Sequence, residues 1–381
     1  MENVGLYVHV PFCSGKCFYC DFYSIPAQQQ LVDDYLRALA KEAELIRRSY
    51  FNDQKPVLET IYIGGGTPTS LEPHQLASLV QIIADNFSQT ATCEFTSEAN
   101  PESVTGEKFC VLKEGGMNRV SIGVQTFDDE LLKKIGRRHS AQQVTWAVEM
   151  ALEQQIGNIG LDLIFALPEQ TALDFRSDLS AAIRLMPEHL SCYELTYEPG
   201  TPLYELRPDP IDVKAEEQQV EMYYAAHEFL TSQGFDHYEI SNYARPGFQC
   251  RHNIRYWKNL DYIGLGASAA GFLHRKRYKN ISSIADYCRD VLEHGKLPIE
   301  SEETLTNIKF AGETAMLALR TMAGIDKNEF SARTGYDPFA LFENQIEKFV
   351  RLGLLETRDH HIALTAKGLP LANEVLGDFL L

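Results

Sequence analysis

The chain has 381 residues, 44% of them hydrophobic, and a formal net charge of −18. That suits a globular protein with a sizeable core in one large domain or two. So acidic a chain gains nothing from counterion release on nucleic acid and is repelled by anionic lipid.

No apolar run approaches the roughly 20 residues of a membrane span. The opening MENVGLYVHVPF lacks the basic start and apolar core of a signal peptide, so a cytoplasmic location is expected. There, the eight cysteines are ligands, catalysts or small buried side chains rather than disulfides.

In chain order, GLYVHVPF is a β-rich run, and LVDDYLRALAKEAELIRR has helical apolar spacing at Leu31, Tyr35, Leu39, Ala43 and Ile46. LETIYIGGGTPTS is a strand ending in a glycine loop. EPHQLASLVQIIADNF is a helix with Pro73 in its first turn. CEFTSEANP is a strand, EKFCVLKEGGMN a helix ended by Gly115 and Gly116, RVSIGVQTF a strand and SAQQVTWAVEMALEQQIG a helix. NIGLDLIFALP, LDFRSDLSAAIRLM, HLSCYELTYEPG and KAEEQQVEMYYAAHEFLTSQG continue the alternation. Six β-then-α units predict an α/β fold, a partial (β/α)6 TIM-like barrel over residues 1–240, with functional residues at the C-terminal strand ends.

Residues 241–300 read as an irregular connecting region containing HNIRYW and YIGLGASAAGF, the latter a tight strand and turn. From 301 to 381, helices followed by the hairpin LLETRDHHIALT predict a winged-helix-like α+β domain. Its residues 325–381 carry nine acidic and six basic side chains, so packing or partner contact is expected there, not DNA. His360 and His361 read as a solvated hairpin tip.

The stretch HVPFCSGKCFYCDFYS holds Cys13, Cys17 and Cys20 as C-x3-C-x2-C, with no fourth cysteine following. Adding His9 would make a Cys3His zinc set, but the spacing is not the usual C-x2-C pairing. Iron–sulfur cubes normally use four thiolates. Three leave one iron open to a small molecule. Tyr19 offers a ring an aromatic face, and the GGGT loop at Gly64–Thr67 offers free N–H groups.

C-x3-C-x2-C with an aromatic before the last cysteine resembles the radical S-adenosylmethionine (SAM) family. The resemblance implies a [4Fe–4S] cluster on Cys13, Cys17 and Cys20, whose open iron is chelated by the amino and carboxylate groups of SAM. IYIGGGTPT, SEANP, RVSIGVQTF, IGRRH, LDLIFALPEQT and YEISNYA are similar to the oxygen-independent coproporphyrinogen III oxidase-like branch. Carried over by motif, the SAM contacts are Tyr7, Tyr19, Gly65, Gly66, Thr67, Glu98, Gln125, Arg137 and Asp162. Arg137 suits the SAM carboxylate, because a planar fork pairs with it. No residue is assigned as catalytic.

The oxidases of that branch decarboxylate two propionates of coproporphyrinogen III. They carry another cysteine two residues after the third, where this chain has Phe22, and a long segment before the cluster motif, where this chain has twelve residues. The sister group of haem chaperones lacks both and carries H-N-x-x-Y-W, here His252, Asn253, Ile254, Arg255, Tyr256 and Trp257. The resemblance implies haem on His252 as axial ligand, stacked by Tyr256 and Trp257, with Cys250 a second candidate thiolate. Outside that context, a histidine beside aromatics is more often a packing residue. The expected function is haem binding and delivery to haem-accepting apoproteins, including membrane proteins met transiently. The alternatives are the oxidase reaction or a zinc-site binding module. Both monomer and homodimer fit the sequence.

Overall fold

The computed structural model describes residues 3–206 and 213–381; residues 1–2 and 207–212, inside the first expected domain, lie outside it. Strand β1 (Val4–Val10) is followed by helix α1 (Gln29–Phe51), β2 (Val57–Gly65), α2 (Pro73–Asn86), β3 (Ser88–Ala99) and α3 (Gly106–Glu114). Next come β4 (Arg119–Gln125), the short α4 (Asp129–Lys134), α5 (Ala141–Glu153), β5 (Ile159–Phe165), α6 (Ala172–Arg184), β6 (His189–Glu194) and α7 (Val213–Ser232). Strands β1 to β6 pair in parallel and in chain order. This is the expected partial barrel. The strands are nearly continuous runs of buried side chains because helices cover them from outside.

Local chemistry sets the helix ends. Glu72 and Gln75 form a capping box around Pro73 at the start of α2, and Thr171 and Asp174 form another at α6. The Thr105 hydroxyl accepts from Lys108 N at the start of α3. Helix α1 buries Val32, Tyr35, Leu36, Leu39, Ala43 and Ile46, one apolar stripe at helical spacing.

The region 241–300, expected to be irregular, is instead part of the main sheet. The chain forms β7 (Asp236–Glu239), β8 (Asn242–Ala244), helix α8 (Arg251–Trp257), β9 (Tyr262–Leu265), β10 (Ala270–Leu273), β11 (Lys276–Asn280) and β12 (Ile299–Thr304). Strand β9 lies parallel to β1 on the side away from β2, and β10 to β12 extend that edge antiparallel. At the other edge β8 and β7 add antiparallel to β6. Strands of three to six residues are too short to show a period, and the edge strands carry charge in place of an apolar face. Glu302 lies in β12 with its carboxylate 3.3 Å from Lys276 Nζ on β11. Helix α9 (Asn307–Ala318) starts after Thr306, whose hydroxyl accepts from Lys309 N.

The C-terminal unit contains α9, β13 (Ile325–Asp326), α10 (Lys327–Thr334), α11 (Glu343–Arg351), β14 (Leu355–Arg358), β15 (His361–Leu364) and α12 (Ala372–Gly377). Its three strands pair antiparallel in the order β13-β15-β14. The run PFALFENQIEKFVRLG breaks at Phe342, which is fully buried against Phe330 and Phe379. Backbone bonds join the unit to the main sheet: Ile240 N to Arg320 O at 3.0 Å and Met322 N to Tyr238 O at 3.1 Å. Among the described residues no helix is long and apolar enough to cross a membrane.

Candidate functional site

The cysteine loop leaves β1 directly and is tied down at several points. Phe18 N donates to Ile135 O at 3.0 Å, and the Arg138 guanidinium donates to Ser14 O at 2.7 Å. The glycine loop closes beside it, with Gly66 N donating to Val10 O at 2.9 Å and Thr67 N to Phe12 O at 2.7 Å. Gly65 has φ +105°, and a Cβ there would meet the His9 ring at 2.5 Å. A Cβ on Gly66 would meet Phe12 O at 2.6 Å, so only glycine lets the two loops approach this closely.

Between them opens a cavity of about 430 Å³. Cys13, Cys17, Cys20, Tyr19, Gly65, Gly66, Thr67, Glu98, Gln125, Arg137 and Asp162 all line it. Tyr7 does not. Its hydroxyl is 3.0 Å from His9 Nδ1 and its ring stacks on Tyr62, one layer below the wall. Sequence reasoning missed Tyr62, Asn100, Ser121 and Tyr193, which also face the cavity. Asn100 stood in the quoted SEANP, and Tyr62 shares the inward face of β2 with Thr60 and Gly64 by the period of two.

Arg137 organises the cluster side. Its Nη2 donates to Gly123 O at 2.7 Å and to Asn100 Oδ1 at 2.9 Å, and Nη1 lies 3.6 Å from Cys17 Sγ. Asn100 Nδ2 in turn donates to the Thr67 hydroxyl, which is 3.3 Å from Cys13 Sγ. Arg137 Nε is buried with no hydrogen-bond partner, a donor left for an anionic group in the cavity.

The opposite wall is acidic. Glu98 accepts from the Tyr62 hydroxyl at 2.9 Å and from Gly65 N at 3.2 Å. Burial pushes its carboxyl up to about 7, against the Tyr62 bond, and nearby Asp162 adds to the rise. Asp162 is also raised by burial, while bonds from Ser191 (2.6 Å) and Ser121 (3.0 Å) oppose the shift. Below them Arg119 is a fully buried guanidinium whose Nε and Nη1 have no hydrogen-bond partner.

The donor set fits an iron–sulfur cube and SAM. Among the described residues no three His, Cys, Asp or Glu side chains close around a single metal ion. A cube presents separate irons, so its ligands stand apart. Burial raises Cys13, and Cys20 to about 11, so bound iron is what would hold these sulfurs as thiolates. SAM carries a sulfonium, an ammonium and a carboxylate. Glu98 and Asp162 suit the cations, and Arg137 Nε suits the anion.

The HNIRYW segment forms α8, which closes the N-terminal end of the barrel, opposite the cysteines. The Glu94 carboxylate, on β3, accepts from the backbone N–H groups of Arg251 and His252, both at 3.1 Å. His252 is completely buried. Its Nδ1 is 2.8 Å from the Thr60 hydroxyl and its Nε2 is 2.8 Å from the Tyr256 hydroxyl. Its ring stacks on Tyr62 at 5.4 Å. Burial, with Arg255 and Arg119 nearby, lowers its pKa to about 3, so the imidazole is neutral. Both ring nitrogens are occupied, so no iron reaches His252 in this arrangement. Trp257 points elsewhere, into a cleft of about 250 Å³ between α8 and the C-terminal unit that His361 also lines. The three expected haem residues therefore do not form one site. Cys250, buried beside Glu94, has its thiol raised to about 12 by burial.

The parallel sheet and the cysteine-lined cavity define a radical SAM protein: residues 7–182 match the radical SAM superfamily, and residues 305–371 the HemN C-terminal domain. Over 376 residues the chain is 39% identical to the heme chaperone HemW of Bacillus subtilis (strain 168), covering 98% of each. It is 37% identical to HemW of Lactococcus lactis, covering 98% of this chain and 97% of the other. With HemW of Escherichia coli (strain K12) it shares 33% identity, over 100% and 99% of the two chains. The chain belongs to the HemW family of radical SAM proteins. The crystallised coproporphyrinogen III oxidase HemN of Escherichia coli, 24% identical, shares the fold with a TM-score of 0.85 over 99% of this chain and 90% of that one.

Proposed function

We propose that the chain is a cytoplasmic haem chaperone that holds a [4Fe–4S] cluster and SAM in the barrel and passes haem to acceptor apoproteins. The end-to-end likeness to proteins named heme chaperones carries this reading. Phe22 supports it. It lines the cavity with 60% of its surface exposed, at the position where the oxidases are expected to carry a further cysteine.

Cys13, Cys17 and Cys20 are the cluster ligands. When bound, the cluster supplies an open iron for the amino and carboxylate groups of SAM and a source of single electrons. Arg137 orients the Cys17 side of the loop and offers Nε to the SAM carboxylate. Glu98, held by Tyr62, and Asp162, held by two serines, supply negative charge where SAM is cationic. The Thr67 hydroxyl steadies the Cys13 sulfur.

For haem, His252 has the right chemistry but a closed position. A neutral imidazole competes with no proton for iron. With the proton on Nδ1 facing Thr60, the Nε2 lone pair faces Tyr256, and that nitrogen would be free to hold iron only with the Tyr256 hydroxyl displaced. Haem carriage by His252 therefore needs Tyr256 to move, and α8 with it.

The test is anaerobic reconstitution followed by haem titration of wild type and His252→Ala, read at the Soret band. One haem in the wild type, lost or spectrally shifted in the variant, is expected. Equal binding removes His252 from the reading. Incubation with coproporphyrinogen III, SAM and a reductant is expected to give no protoporphyrinogen IX; its formation returns the oxidase reading.

A further inference from the structure

Trp257, the last residue of α8, turns out of the barrel floor into the cleft beside the C-terminal unit. Ile254 and Trp257 of α8 line one side of that cleft, and Ala318, Ile325 and Phe330 line the other. The Arg320 guanidinium covers one face of the indole, 4.6 Å from the ring centre. Gly324, at φ +67°, lets the turn before β13 lie against the hairpin: a Cβ there would meet Ile362 O at 2.1 Å.

The ionisable groups of the cleft are within reach of solvent. His361 on β15 is the cross-strand partner of Asp326 on β13, and its Nε2 lies 3.2 Å from the Asp326 carboxylate. Its neighbour Ile362 is fully buried, so the strand period turns His361 the other way. That side chain is 47% exposed. Lys258 pairs with Glu329 at 3.0 Å, and Asp326 caps α10 through Glu329 N at 2.7 Å. The Arg333 guanidinium, which also lines the cleft, donates to Asn259 O.

We infer that this cleft, and not the barrel floor, is where haem is carried, with the His361 imidazole as axial ligand and Trp257 against the macrocycle. This rests on the reading that the chain is a haem carrier. Haem is a flat apolar ring with two carboxylates at one edge and an iron that takes an imidazole nitrogen. The apolar walls and Trp257 suit the ring. Lys258 and Arg333 suit the carboxylates. Nε2 is the outermost nitrogen of His361, and an exposed pair such as that with Asp326 contributes little and is readily exchanged. His252 keeps both of its bonds, and α8 stays seated. A cleft of about 250 Å³ takes one side of the macrocycle. The other side stays in solvent, where an acceptor can reach it.

The experiment uses the full chain with its cluster reconstituted and left oxidised, so that the cluster gives no paramagnetic signal of its own. Haem is titrated by the Soret difference spectrum, and the ferric haem EPR signal reports the axial ligand. His361→Ala is expected to raise the haem Kd about tenfold or more and to remove the histidine signature, which added imidazole restores. His360→Ala, at the exposed neighbour outside the cleft lining, is expected to match wild type. Ala323→Trp, at an exposed position on the cleft wall, fills the cleft. It is expected to raise the Kd by a similar factor with Tm and cluster content unchanged. His252→Ala is expected to weaken binding, because it loosens the helix that carries Trp257, but the haem that remains keeps the histidine signature. No haem on the wild type overturns the carrier reading, and this site with it. Haem bound with wild-type Kd and signature by both His361→Ala and Ala323→Trp overturns the cleft and leaves the carrier reading standing. A histidine signature lost in His252→Ala but kept in His361→Ala places the iron at the barrel floor and also overturns the cleft.

Discussion

The Arg137 guanidinium lies 3.6 Å from the Cys17 sulfur while its other nitrogen is fixed by Gly123 O and Asn100. One side chain after α4 therefore ties the loop after β1 to the ends of β3 and β4. Lysine has a single point of charge and cannot make these contacts together. Arg137→Lys is expected to destabilise the fold by about 1–3 kcal/mol, because buried acceptors lose their donors, and to weaken SAM about tenfold or more. Denaturant unfolding and equilibrium dialysis measure the two. Unchanged SAM affinity would remove Arg137 from the SAM site.

Single Cys→Ser changes at Cys13, Cys17 or Cys20 are expected to abolish the brown cluster absorbance near 400 nm and to leave almost no iron per chain. Cys110→Ser is the control. That side chain is half-buried on α3, away from the cavity lining, and its cluster content should match wild type. Full iron content in any of the three would show that its sulfur is not a ligand.

Glu98 predicts a pH dependence for SAM. Its carboxyl sits near 7 without ligand, and a cationic partner favours the ionised form. The SAM Kd should therefore improve as pH rises from about 6 to 8, by up to tenfold per unit below the carboxyl's pKa. Glu98→Gln has no such proton to lose. Its affinity should be lower and flat across the range. A wild-type affinity independent of pH would contradict the assignment.

Stability should carry a signature of its own at Glu42. This fully buried carboxylate on α1 accepts from Gly266 N at 2.8 Å, Tyr287 Oη at 2.6 Å and Asn280 Nδ2 at 2.5 Å. Burial still raises it to about 7, from 4.5. The folded state thus holds its proton more tightly than the unfolded one. The contribution is full below about 4.5 and lost as pH rises through about 7. Denaturant midpoints of wild type and Glu42→Gln at pH 5 and 7.5 test this. The variant should lose less stability than wild type over that interval, and parallel losses would contradict it.

Much of the cavity was legible because its residues follow local rules. In a parallel βα fold each strand's C-terminal end faces the same side. The strand-end rule placed SEANP, RVSIGVQTF and NIGLDLIFALP around the cavity, the choice of Glu98, Gln125 and Asp162 within them is what the family resemblance implied, and the cysteine and glycine loops stood out by their spacing. Tyr7 misled because it lies on the right strand but one layer too deep, where it bonds His9. Tyr62 was passed over inside an apolar run, although its neighbour Gly64 on the same face marks the close approach of Glu98. YIGLGASAAGF, read as a strand and turn, holds β9 and β10, whereas β11 and β12 were missed because short, charged strands draw their order from pairing with distant partners rather than from their own period.

Residue spacing alone determined the three-thiolate loop, the glycine turn beside it and the six βα units that set strand ends around them. These depend on contacts between near neighbours and on periods of 2 and 3.6. Only the tertiary structure decided what the HNIRYW segment faces. Which side of a seven-residue helix turns inward depends on Glu94, Thr60 and Tyr62, more than 150 positions earlier in the chain. That packing buries His252 with both nitrogens engaged and turns Trp257 into another cleft.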